Sequence, residues 1–465
     1  MSIKPNLTIL VVLNFIIAGI IFTLGLNSSF PDQADYLALA DGILHGEFSS
    51  YVYLEDYYPA TLRSPAYPLF LAFGLALFKS ILPIQLLQLA LYFCTIVLSL
   101  RIIQKLTTSK TPQYIFLVLS SVCIQLPYYA AQISSELLTI FLVILVLYLL
   151  FNGNIKSVFS NFLTGISFSI LIMTKPAFLL LPFLLCLLVL IISRQYLKNY
   201  IFICIFFMIG TMPFAMWNQA NHGVFKPTTI EGMATIAHMG YWNFKLPVGY
   251  QADFDDYHAY VVSDFTNPFI YSDEATLNNI SIYESQWRDI TNQLEPLLTE
   301  SFRRDLEYMR VDPLVFVTYP SEYVLKREEL LTQAIIQSVK DDPLYYLKTR
   351  TYNFFRVFFT GINKSNFSND SSYFSKIQMI LAFAISFIII FCGFIYVSIF
   401  IFKNWKTISY ELAIIYFFIL YTAGVHTPFS VQARYSVPIH LCLLILLSII
   451  TSRRYLDKKN VIILN

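Results

Sequence analysis

The chain has 465 residues, of which 57% are hydrophobic and only 13% charged. Soluble domains carry roughly 25% charged residues, so this composition excludes an ordinary water-soluble enzyme and predicts a polytopic membrane protein. The formal net charge is only +2, and the basic stretches sit at the flanks of apolar runs, which argues against a nucleic-acid partner.

A membrane-spanning helix needs about 20 mainly apolar residues. In chain order, apolar runs predict spans near Leu7–Leu26, Pro83–Ile103, Tyr114–Tyr129, Leu137–Phe151, Val158–Thr174, Pro176–Ile192, Ile201–Trp217, Lys376–Phe402, Glu411–Val425 and Tyr435–Ile450. That makes about ten transmembrane helices. The first run has no small-residue cleavage site and reads as an uncleaved helix. Pro68–Phe78 is too short to cross and suits the outer interface. Cys94, Cys123, Cys186, Cys204, Cys392 and Cys442 all fall in apolar runs. They read as small buried hydrophobes, neither a disulfide framework nor a metal site.

Basic residues in short loops set the orientation. With the N-terminus in the cytoplasm, the cytoplasmic flanks hold Lys4, Arg101, Lys105, Lys110, Lys156, Arg194, Lys198, Lys403, Lys406, Arg453, Arg454, Lys458 and Lys459, against only the acids Glu411 and Asp457. Both termini are then cytoplasmic. The fold class expected is all-α, with outer-face interfacial helices and a mainly helical extracytoplasmic region. Three parts follow: a transmembrane module over 1–217 with an outer loop at 27–82, an acidic extracytoplasmic region over 218–375, and C-terminal spans with a basic tail over 376–465. Within the second part, Asn221-His222-Gly223, Glu231-Gly232 and Asn267-Pro268 signal loops. An amphipathic helix runs from Ser321 to Val339, and Asp341-Asp342-Pro343 ends it. A second helix, Leu344–Phe359, looks interfacial.

Ionisable groups at membrane depth are costly unless they act, so the outer acids and cations are the candidates for chemistry. Asp32 and Asp35 follow the first span. As caps, they suit the start of a helix whose apolar face carries Tyr36, Leu37, Ala40 and Leu44. As a general base, one of them takes a proton from a hydroxyl nucleophile. Arg63, in Arg63-Ser64-Pro65-Ala66-Tyr67-Pro68, either snorkels at the interface or clamps a phosphate. Lys175 and Arg434 lie outside, against the positive-inside trend, as does His426. Arg63, Lys175 and Arg434 could meet one anionic headgroup from separate regions of the chain. Glu136, in Ser134-Ser135-Glu136-Leu137, reads first as a helix cap. The sequence has no phosphate-binding glycine loop, no metalloprotease His/Glu pair and no Gly-x-Ser-x-Gly elbow.

Taken in order, Asp32…Tyr36…Ala40…Gly42, Arg63-Ser64-Pro65-Ala66-Tyr67-Pro68, Ser135-Glu136, Thr174-Lys175-Pro176, Asn218…Gly223-Val224-Phe225 and Arg434-Tyr435 form a pattern. It resembles the GT-C superfamily of membrane glycosyltransferases, in particular the polyprenyl-phosphate-sugar-dependent group that includes protein mannosyltransferases and the aminoarabinose transferase acting on lipid A. The resemblance implies an inverting transfer of a sugar from a polyprenyl-phosphate carrier to an acceptor hydroxyl on the extracytoplasmic face. It makes Asp32 and Asp35 catalytic, sets Arg63, Lys175 and Arg434 on the donor phosphate, and lines the pocket with Tyr36, Tyr67, Glu136 and His426. Many relatives have Asp-Glu where this chain has Asp32-Gln33, its second carboxylate being Asp35. The spacing to Tyr36 favours Asp32 as the base.

No cofactor or metal is expected, since relatives of this type generally need none, although Asp32 with Asp35 could hold a divalent ion. The partners implied are a polyprenyl-phosphate-linked sugar and a lipid, glycan or protein acceptor. A bacterial plasma membrane is expected, because a glycan on the sequon Asn27-Ser28-Ser29 would crowd the site. Two alternatives remain: a lipid-linked oligosaccharide transporter or flippase, and a polysaccharide polymerase or ligase. Transporters usually carry ionisable groups mid-helix and repeated halves, and neither is evident here.

Overall fold

The computed structural model describes residues 6–463 except 27–29, 31, 155, 248–249, 251–270, 312–314, 359–379, 381–383, 386, 430 and 432, with the last helix described by its backbone beyond Ser452. The sequon at Asn27 and the proline before Asp32 lie outside the described residues. Among the described residues all regular structure is helical. In order the helices are α1 (Leu7–Gly25), α2 (Gln33–Leu44), α3 (Ala66–Phe78), α4 (Ile81–Leu106), α5 (Thr111–Val122), α6 (Gln125–Ala131), α7 (Glu136–Asn152), α8 (Val158–Thr174), α9 (Leu181–Ile192) and α10 (Leu197–His222). There follow α11 (Met233–Trp242), α12 (Asp273–Leu294), α13 (Glu300–Met309), α14 (Ser321–Asp341), α15 (Pro343–Arg356), α16 (Gly393–Lys403), α17 (Tyr410–His426) and α18 (Val437–Ile463).

Among the described residues, four stretches are long and apolar enough to cross a membrane: α1, α4, Arg194–His222 and Arg434–Ser452. A fifth is added if α5 and α6, bent by 56° at their junction, make one span. Six further apolar helices are shorter. The set is compatible with a multi-pass membrane protein. The sequence predicts one straight helix over Tyr114–Tyr129, but the chain breaks at Cys123-Ile124. Pro127 accounts for this, because it cannot donate to the carbonyl four residues back and its ring clashes there. Cys94 and Cys392 differ from expectation too: both lie on outward helix faces.

Most of the apolar helices pack around α18, whose stretch from Val437 to Ile450 is buried against α4, α5, α7, α16 and α17. α1 is peripheral. Its outer face exposes Ile9, Val12, Ile16, Ile20 and Leu24, the surface an apolar solvent requires. Its inner face is anchored by Asn14, whose amide donates to Ser120 Oγ at 3.0 Å and Ser121 Oγ at 2.9 Å on α5. Small residues let α8 and α10 approach closely. A Cβ on Gly165 would lie 2.6 Å from the Phe206 Cβ, and Ser169 Oγ donates to the Phe207 carbonyl at 2.9 Å.

A second aromatic core gathers Trp242, Tyr283, Trp287, Phe302, Tyr319 and Tyr323 from α11–α14 and the segment before α14. Tyr51 and Tyr58 of the 27–82 loop belong to this core. The Tyr51 hydroxyl donates to the Phe316 carbonyl at 2.8 Å and the Tyr58 hydroxyl to Asp305 Oδ2 at 2.9 Å. The loop is therefore packed partly into the 218–375 region, as well as onto the helices it connects. Its turn relies on Gly42, where a Cβ would fall 1.9 Å from the Ser49 carbonyl oxygen.

α15 is tied to the end of α17 by Arg350, which is buried. Its Nη2 donates to the Gly240 carbonyl at 2.5 Å and its Nη1 to the Pro428 carbonyl at 2.6 Å. Arg350→Ala leaves these carbonyls without a charged donor. It should lower stability by about 3 kcal/mol, read as a fall in the unfolding midpoint in detergent and as faster proteolysis between α15 and α17.

Candidate functional site

α7 and α18 begin, and α8 and α17 end, at one end of the bundle. There the chain collects charge. α2 starts at Gln33 with Asp32 before it and Asp35 in its first turn. The Arg63-Ser64-Pro65 segment leads into α3, Glu136 is the first residue of α7, Lys175 caps α8, and Arg434 lies in a short 3-10 turn before α18.

These six side chains form one continuous network. Arg63 Nε donates to Asp35 Oδ2 at 2.5 Å, and its Nη2 lies 3.1 Å from Asp32 Oδ1. Arg434 Nη1 pairs with the other Asp32 oxygen. Arg434 Nε lies 3.8 Å from Glu136 Oε1, and Lys175 Nζ lies 3.3 Å from the same oxygen. Asp32, Asp35 and Glu136 are buried, whereas the three cations keep partial exposure. Acids and cations alternate, Asp35–Arg63–Asp32–Arg434–Glu136–Lys175, so the formal charges cancel. Such a network survives burial only because every charge has an opposite neighbour.

The two aspartates differ in setting. Burial pushes the Asp32 carboxyl up, but Arg434 and Arg63 together outweigh it and hold the group well below the usual carboxylate range. For Asp35 burial prevails over its one guanidinium partner and lifts the carboxyl above that range. Asp35 and Arg63 line a small open cleft with Leu39, Ser50, Thr61 and Phe316.

The aromatic residues frame the network. The Arg63 guanidinium stacks over the rings of Tyr36 and Phe316, each at 5.1 Å. Tyr36 meets Tyr67 edge-on at 4.8 Å and its hydroxyl donates to Ser135 Oγ at 3.3 Å. The Tyr67 hydroxyl donates to Gln88 Oε1 at 2.8 Å. His426 stacks on Tyr435 at 4.5 Å, and Lys175 Nζ lies 5.5 Å from that ring. The nine residues that the resemblance assigns to catalysis, donor phosphate and pocket thus meet at this end of the bundle. Tyr67 and His426 stand behind the first layer, held by Gln88 and by the Thr422 carbonyl respectively.

Sequence reasoning missed two sets of residues. Gln85 and Gln88 of α4 donate to the Ala131 carbonyl at 2.5 Å, the Ala130 carbonyl at 3.0 Å and the Gln132 carbonyl at 2.8 Å. They satisfy the irregular backbone between α6 and α7 that membrane depth would otherwise forbid, and so fix the start of α7 and Glu136. Two amides three residues apart in an apolar helix were the available signal. The second set is the buried pair Glu231 and Arg327, at 2.5 Å. Thr61 donates to the other Glu231 oxygen, and the Glu231 amide donates to the Thr61 carbonyl at 3.2 Å. This pins the strip that carries Arg63. No local sequence pattern joins those positions.

No family model matches the chain, and neither does any curated protein or solved structure.

Proposed function

We propose that the chain is an inverting glycosyltransferase of the GT-C type. It moves a sugar from a polyprenyl-phosphate carrier to an acceptor hydroxyl at the extracytoplasmic face of a bacterial plasma membrane, through about ten membrane crossings. The observation that carries this reading is the convergence of Asp32, Asp35, Arg63, Glu136, Lys175 and Arg434 at one end of an apolar bundle, beside a cleft lined by Asp35.

Asp35, in place of the Asp32 that the resemblance favours, is the general base in this reading. It lines the cleft and burial raises its carboxyl, whereas Asp32 is held by two guanidiniums. The acceptor O–H proton passes to Asp35 as its oxygen bonds to the anomeric carbon. The bond from that carbon to the phosphate oxygen breaks, and its electron pair leaves with the prenyl phosphate. Arg63, Lys175 and Arg434 stabilise the negative charge that develops there. Asp32 orients two of these cations.

The decisive experiment is a transfer assay with purified protein and a panel of polyprenyl-phosphate sugars. Turnover with none of them sinks the reading. The broken α5–α6 pair favours a second reading, a flippase for lipid-linked sugars, because transporters build sites from interrupted helices. Movement of such a lipid across a reconstituted bilayer without transfer would select it. For topology, a single cysteine at exposed Glu55 is expected to react with an impermeant maleimide in intact cells, and one at Lys105 only after permeabilisation.

A further inference from the structure

The cations assigned to the donor phosphate are already occupied. Glu136 Oε1 lies between Lys175 Nζ, at 3.3 Å, and Arg434 Nε, at 3.8 Å. A single oxygen bridging an ammonium and a guanidinium is the position that a phosphate oxygen would take. A carboxylate kept solely as a structural bridge normally uses both oxygens, since a buried acceptor without a donor costs free energy. Glu136 does not. The residue is 2% exposed, and its Oε2 has no hydrogen-bond partner among the described residues. One oxygen therefore bridges two cations while the other is unsatisfied, an arrangement with little reason to be permanent.

From this geometry we infer that Glu136 is a built-in anion surrogate, which holds Lys175 and Arg434 in place until the phosphate group of the carrier lipid displaces it. The inference rests on the phosphate-donor reading and adds a regulatory contact to it. The empty site is charge-balanced, because Glu136 gives Lys175 a counterion between turnovers while Asp32 and Glu136 share Arg434. A headgroup with two or more acceptor oxygens can satisfy both cations and frees Glu136 to rotate away. Chloride is a single acceptor atom and cannot give each cation an oxygen of its own, so the site favours phosphate. Asp32 stays with Arg434 Nη1 throughout, because it uses the other edge of that guanidinium.

The test is anion binding to full-length protein in detergent. The probes are a short-chain prenyl phosphate and inorganic phosphate, and binding is read as the rise in unfolding midpoint with probe concentration. Glu136→Gln keeps the shape and removes the charge. Without a probe it should unfold at a lower temperature than wild type, since Lys175 loses its acidic partner and Arg434 loses one of two. With the prenyl phosphate it should recover, and its apparent affinity should be about tenfold or more tighter than wild type, the size expected when a competing charge at contact distance is removed. Inorganic phosphate should reproduce the effect if the headgroup alone is recognised. A response to the prenyl ester only would mean that the lipid tail contributes.

If Glu136→Gln cannot be purified folded, Glu136→Asp keeps the charge but withdraws it by one methylene, and its affinity should shift in the same direction. Equal or weaker binding than wild type in the variant measured overturns the surrogate while leaving the donor reading intact. If neither wild type nor variant responds to either probe, the phosphate-donor reading falls together with it.

Discussion

Replacing Asp35 by Asn should lower the rate of sugar transfer by about 10²–10⁴-fold, the usual contribution of a positioned general base. The carbonyl of Asn can still accept from Arg63 Nε, so binding of the donor should change little and the loss should fall on kcat. The pH profile gives a sharper readout. Asp35 acts only when ionised, and burial lifts its carboxyl above the ordinary range. The wild-type rate should therefore climb with pH through a value higher than that of a solvated aspartate, about 3.9. In Asp35→Asn that acid limb should vanish. An unchanged profile, or full activity in the variant, would remove Asp35 from the chemistry.

Asp32→Asn is expected to act on stability first. Among the described residues, Asp32 is the only carboxylate that faces both Arg63 and Arg434. Its neutral replacement takes one of two acidic partners from each of the partly exposed Arg63 and Arg434, a change expected to cost up to about 3 kcal/mol. The sign of the pH dependence follows from its lowered pKa. Asp32 binds a proton less readily folded than unfolded, so its stabilisation is complete above the unfolded value, about 3.9, and is lost as pH falls through the folded one. The gap in unfolding free energy between wild type and Asp32→Asn should be full at neutral pH and should narrow below about pH 4. Activity should fall too, because the guanidiniums lose their alignment. That loss should lack the removal of the acid limb expected of Asp35→Asn.

Some of this was set by composition and local pattern. An apolar, weakly charged chain can only bury itself against other apolar helices or lipid, so the helical class and the apolar runs of the bundle follow from the residues themselves. The acids after the first span, Arg63 before a proline-rich segment, Lys175 before Pro176 and Arg434 before the last helix could be picked out because charge is conspicuous in such a setting. Tertiary structure decided the rest. Helix geometry was not a matter of hydropathy alone, since Pro127 breaks one apolar run into α5 and α6. The pairing was also hidden. Asp32 and Arg434 lie at opposite ends of the chain, and nothing local distinguishes an aspartate held by two guanidiniums from one held by a single guanidinium. Burial and partner number set the protonation of each group, and both depend on which loops the fold brings together. The sequence supplied the charges, while packing determined which of them neutralise one another and which faces the cleft.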